Sequence, residues 1–188
     1  MTIVSRSEPE GGRDIVNAAL SARSQRSHIM KMLSGAPQTG APLPVYVLDR
    51  ETAASDDPLA HAKQAGWQYP IVGGETQGLA SLAEGPKGLE FSGITHGTLP
   101  QRVLEAATLA ERTLGPLPEQ FQVRLLEIPS LLTLCLWFAG PTNRFISLLD
   151  GSPPGTAPLR VEDDIRARLR NALGAVQRAP GFGETPTN

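Results

Sequence analysis

The chain has one cysteine, three histidines and no hydrophobic run near the length that crosses a bilayer. Each shortage removes a class of function. A lone cysteine cannot close an internal disulfide or supply a thiolate cluster, so neither a disulfide framework nor a thiolate zinc site is available. His28, His61 and His96 are dispersed, with no pair at the helical spacing of a zinc site. The longest apolar stretch, Leu131 to Ala139, falls far short of the ~20 residues needed by a membrane-spanning helix. Charge is balanced at 17 basic against 19 acidic residues, a formal net of −2. No basic excess advertises nucleic acid or an anionic membrane, and neither is expected as a partner. The opening MTIVSRSEPEGG lacks the charged and apolar regions of a secretory signal. With the single thiol in the most apolar run, the expectation is a cytoplasmic protein.

Catalytic signatures are missing as well. No GxSxG elbow occurs, and no GxGxxG. The glycine-bearing IVGGETQG lacks the lysine and spacing of a phosphate loop, so no nucleotide or other cofactor is expected. Asp56–Asp57 and Asp163–Asp164 are adjacent pairs, and adjacent residues on a helix point about 100° apart. Neither pair forms a shared acid–base site by spacing.

What is present speaks to architecture. There are 19 glycines and 17 prolines, which implies many turns. A chain of 188 residues buries roughly 70% of its unfolded surface. It reads as a flexible tail at 1–13, one domain at 14–176 and a second flexible tail at 177–188. A helix is expected from about Asp14, as N-cap, to Leu33, with Ile15, Ala19, Ala22, Ile29 and Leu33 on its apolar stripe and a basic face at Arg23, Arg26, His28 and Lys31. VYVLD at 45–49 is a strand, and DPLAHAKQAG a short helix. WQYPIV at 67–72 is a strand confined to an edge or a bulge by Pro70. Residues 73–88 are a glycine-rich loop with a turn of helix near Leu79 to Glu84, followed by a strand at 88–94. Thr98 to Leu114 is the clearest helix. Thr98 and Gln101 have capping-box spacing, and Leu99, Val103, Ala106, Ala110 and Leu114 form its buried stripe. A further helix carries Val161, Ile165, Leu169, Leu173 and Val176, with acidic residues first and arginines later.

Residues 119–149 hold the cysteine, one of two tryptophans and three of five phenylalanines. Phe121, Val123 and Leu125 alternate with Gln122 and Arg124, the pattern of a strand with one wet face. Leu131 to Phe138 has no charged residue and a single polar one, Thr133, and is apolar on both faces, so it reads as a strand covered on both sides. A turn at Gly140 to Asn143 leads into a third strand. The expected fold class is therefore α+β. Its sheet is mainly antiparallel, with about five or six strands around a central hairpin at 119–149 and two to three packing helices.

Candidate functional residues divide between packing and recognition. Cys135 lies between Leu134 and Leu136 and reads as a core thiol. Trp67 and Tyr69 alternate on one short segment; they suit either the core, which is favoured, or an exposed aromatic patch of the recognition type. His96, in GITHGT at an element junction, reads as a polar loop histidine with functional potential. Glu127 beside the apolar run, with Arg124, reads as a solvated or paired acid ahead of a general base. The binding candidates are Trp67, Tyr69, His96, Arg124 and Glu127. The function expected is a non-catalytic binding or accessory protein that recognises a peptide or protein partner through a sheet edge or an apolar groove, as a homodimer. The alternative is a small-molecule enzyme using His96 and Glu127 near the loop at 73–88, which requires those groups to share one cleft.

Overall fold

The computed structural model describes residues 3–4, 8–24, 38–72, 77–149, 151 and 156–178. In chain order the elements are β1 (Ile3–Val4), α1 (Gly12–Ser24), β2 (Gln38–Thr39), β3 (Leu43–Val47), α2 (Arg50–Ala53), β4 (Lys63–Val72), β5 (Gly78–Gly85), β6 (Gly88–Thr95), α3 (Thr98–Leu114), β7 (Phe121–Ile128), β8 (Thr133–Ala139), β9 (Arg144–Ser147), β10 (Leu159–Val161) and α4 (Glu162–Arg178). Single 3-10 turns cover Pro58–His61 and Pro129–Leu131.

The strands form one ten-stranded mixed sheet in the order β10-β9-β8-β7-β3-β4-β5-β6, with β1 beside β7 and β2 beside β4. This corrects the expectation of five or six mainly antiparallel strands. Two parallel pairings break the antiparallel pattern: β3 with β7, and β1 with β7. The cause is the crossover. Parallel neighbours need a long connection, and here the β4-β5-β6 meander and α3 carry the chain from β3 back to β7. Ile3 and Val4, inside the segment read as a tail, pair with Phe121 and Gln122.

Alternation along β7 and β8 assigns the two faces. Phe121, Val123, Leu125, Leu134, Leu136 and Phe138 point to one face, beneath α3. Leu126, Ile128, Cys135 and Trp137 point to the other, beneath α4. On that second face, beyond α4, helix α1 covers Trp67, Tyr69, Ile71, Ala80 and Leu82 of β4 and β5. The hairpin at 119–149 is thus covered by the chain's own helices, which places two buried layers around it.

Several local readings change. α1 begins at Gly12, and its buried apolar side chains among the described residues are Val16 and Leu20, with Ala22 exposed. The remainder of the expected helix, including Arg26, His28 and Lys31, lies outside the described residues, as do Gly73 and Gly74. Thr98 and Gln101 make no capping box: Gly97, at φ 94°, precedes α3 without a side-chain cap, and Gln101 Nε2 donates to Glu105 Oε1 at 2.7 Å. The short helix read at 57–66 is a 3-10 turn that runs into β4, while Asp49 caps the unexpected α2 by accepting from the Thr52 N–H at 2.8 Å. Leu79 to Glu84 belongs to β5, paired in a hairpin with β6 through the two-residue turn at 86–87.

β4 is interior despite Pro70. The Pro70 carbonyl accepts from the Gly40 N–H at 2.7 Å, so the proline's missing donor faces the break between β2 and β3. The Gly40 carbonyl that such a donor would meet accepts from Arg13 at 3.5 Å instead. At Gly66 the strand carries a bulge, with Ala65 extra between the Val45 and Tyr46 pairings. A side chain at 66 would strike the Leu82 carbonyl, so the close approach of β5 requires glycine. Among the described residues no helix is long and apolar enough to cross a membrane.

Candidate functional site

A concavity opens at the end of the β8–β9 ladder, under α4. Pro129 cannot continue β7 as a paired strand, so the chain takes a 3-10 turn and re-enters the sheet at Thr133. Leu132 absorbs the reversal in the left-handed region, at φ 48° and ψ 39°. A branched side chain rarely adopts this conformation, and the turn leaves Leu132 84% exposed. The Thr133 hydroxyl donates back to the Leu131 carbonyl at 3.2 Å and braces the turn. At the other strand's end, the Leu148 N–H donates to the Leu134 carbonyl at 2.8 Å, which buries Leu148 on the α3 face. Leu149, next along, is 53% exposed.

Between these leucines lies a groove of about 460 Å³. Its walls are Leu131, Ile165 and Leu169, the last two one helical turn apart on α4. Its floor is a cross-strand pair, Cys135 opposite Ser147. Cys135 is 1% exposed and forms no disulfide. Arg168, the only charged residue lining the groove among the described residues, stands at the mouth with Asn171.

A smaller cleft of about 230 Å³ lies at the start of α4, beside Ser55, Asp56, Arg166 and Arg170. Its chemistry is mostly internal. Arg166 donates to Glu162, to Asp57 and to the Asp56 carbonyl, which ties α4 to the loop after α2. Burial would push the Glu162 carboxyl up, but hydrogen bonds from Asn143 and Arg166 outweigh it and hold the group below its ordinary value. Asn143 in turn accepts from the Trp137 indole N–H at 2.9 Å, so this network also anchors the core.

The residues expected to bind fall in separate places. Trp67 is 7% exposed and Tyr69 fully buried beneath α1, in the core, the favoured of the two expectations for the pair. Burial, reinforced by the nearby Glu8 carboxylate, pushes the Tyr69 hydroxyl up to about 12. Arg124 is half-buried, and its guanidinium lies 4.7 Å from the Tyr46 ring centre and 4.6 Å from that of Trp137. Glu127, three residues on, points to the opposite face, opposite Leu134 and beside Val47. Burial raises its pKa. His96 stands at the β6–α3 junction, half-buried, its Nδ1 enclosed near Gly78.

His96 and Glu127 do not meet. Four strand spacings separate β6 from β7, about 19 Å, and the two residues sit at opposite ends of β4, about 20 Å further apart along it. Among the described residues no three His, Cys, Asp or Glu side chains gather as metal ligands.

The groove residues escaped the sequence reading because Leu131 and Leu132 merged into the apolar run of β8. The signal was Pro129: an apolar pair two residues after a strand-breaking proline sits in a turn. Comparison of the chain with protein-family models, with curated proteins and with solved structures gives no match.

Proposed function

We propose that the chain is a non-catalytic binding module for a peptide or protein partner, and that it works through the groove between the β8–β9 end and α4. One observation carries the reading. Two strongly exposed leucines, Leu132 and Leu149, flank a concavity whose walls are leucine and isoleucine. Covering a leucine side chain is worth roughly 1.5–3 kcal/mol, and an apolar cleft with a few polar groups is the usual form of a ligand site. Of the two surfaces expected from the sequence, sheet edge and groove, the groove has both shape and exposed apolar area.

The alternative enzyme reading rests on His96 and Glu127 sharing a cleft, and the distance between them argues against it. A homodimer, expected from the apolar hairpin, now lacks that motive, since α3 and α4 cover the hairpin. A second copy would have to use the rim leucines instead. A cytoplasmic location suits the single thiol on the groove floor.

A random-peptide display selection against the folded chain tests the proposal. Apolar sequences are expected to enrich, and the enrichment to vanish with Leu149→Asp at unchanged thermal stability. Enrichment indifferent to Leu149→Asp and Leu132→Asp would place binding elsewhere and overturn the groove reading.

A further inference from the structure

We infer that the groove captures the C-terminal residue of a partner protein, an apolar last residue with its free carboxylate. This rests on the binding reading above and names the ligand.

The groove's polar groups are few and separately placed. Ser147 is the one buried polar side chain among the described residues, at 8% exposure, and lines the floor. It makes no side-chain hydrogen bond among those residues. A hydroxyl lining an apolar floor is a donor for which a ligand can supply the acceptor. Arg168 and Asn171, three residues apart on one side of α4, flank the mouth, and both are exposed. Arg168 enters no ion pair among the described residues. Among the described residues no carboxylate lines the groove, so its positive charge selects an anion.

A ligand that matches needs three things: an apolar side chain for Leu131, Ile165 and Leu169, a carbonyl for Ser147, and a carboxylate for Arg168. A chain terminus supplies all three within one or two residues. The size agrees, since about 460 Å³ suits a few side chains and not a helix laid through it. A fatty acid supplies the apolar chain and the carboxylate but nothing to accept from Ser147. Terminal-carboxylate capture is a recurring mode of peptide recognition.

The test is a selection from one random dodecapeptide library in two forms, with free and with amidated C-termini, followed by titration of the selected peptides and of dodecanoate. Free-carboxylate peptides ending in an apolar residue are expected to enrich. Amidation, and separately Arg168→Gln, should each weaken binding about tenfold, the scale of one charge-assisted hydrogen bond. Ser147→Ala should weaken peptide binding with the thermal midpoint preserved. Equal enrichment of both forms, peptide affinity insensitive to Arg168→Gln, or tighter binding of dodecanoate than of any peptide would overturn the inference. Equal enrichment that still depends on Leu149 would leave the groove as the binding site and remove only the terminus. Enrichment of neither form would sink both readings.

Discussion

Replacing Trp137 by alanine should remove more stability than any other single truncation of the hairpin. The side chain is 4% exposed and bridges the core under α4 to the aromatic cluster on β3. Its ring meets Tyr46 edge-on at 5.5 Å, stacks on Phe145 at 6.2 Å, and carries the Arg124 guanidinium. Its N–H enters the Asn143–Glu162 network. Truncating a buried tryptophan costs about 3–5 kcal/mol, cavity included. A single domain has about 5–15 kcal/mol in total, so Trp137→Ala is expected at the edge of folding, with a thermal midpoint lowered by about 6–20 °C. Trp137→Phe keeps a ring against Tyr46 and Phe145 and loses the indole donor. It should cost far less, with about 1 kcal/mol from the hydrogen bond and the remainder from volume. Urea denaturation followed by far-UV circular dichroism measures both, because removing a tryptophan compromises fluorescence as a probe. A double-mutant cycle with Asn143→Ala should return a coupling of about 1 kcal/mol. An alanine variant within 1 kcal/mol of the parent, or equal to the phenylalanine variant, would refute the placement of Trp137 at this junction.

Two further outcomes follow from buried ionisable groups. Glu127 has a raised pKa because it is partly desolvated; its folded state binds a proton more readily than the unfolded chain, so its charge costs stability increasingly as pH rises through the carboxylate range. Glu127→Gln should therefore be more stable than the parent at pH 7, with the difference closing near pH 4; equal stability at pH 7 would show the carboxylate to be solvated. Tyr69, pushed up to about 12, stays protonated in the fold while an unfolded tyrosine ionises near 10. Stability should fall between those values by up to about 1.4 kcal/mol per pH unit, and Tyr69→Phe should flatten that slope in alkaline melts followed by circular dichroism.

The parts of the fold legible in the sequence were those where one face decides the pattern. Val103, Ala106, Ala110 and Leu114 recur at helical spacing and lie buried in α3. Phe121, Val123 and Leu125 alternate and share a face of β7. The parts that misled were those where a neighbour sets the structure. β5 carries leucine, alanine and glutamate, residues that favour helix, and becomes a strand because β4 and β6 pair with it on either side. Pro70 rules out an interior strand only if its partner strand is continuous, and the break at Gly40 removes the conflict. β1 and β2 are two residues each, too short to have a period at all.

The binding candidates lie apart for a related reason. Arg124 was read as wet because arginine alternates with apolar residues, yet Tyr46 and Trp137 give its guanidinium an aromatic seat that only the β3–β7 parallel pairing brings together. A spacing of three along a strand sends Arg124 and Glu127 to opposite faces, so no local rule could make them a pair. The groove inverts the problem. Its residues come from the turn after Pro129, the end of β9 and the middle of α4, and each alone looks like core or solvated helix. What marks them is position: Leu132 and Leu149 are apolar and strongly exposed, and Ser147 is the buried polar side chain among the described residues. Both mismatches resolve at once if a partner's apolar terminus completes the groove. That makes the rim leucines and the floor hydroxyl parts of one site, and predicts that their substitutions act together on binding while acting separately, if at all, on stability.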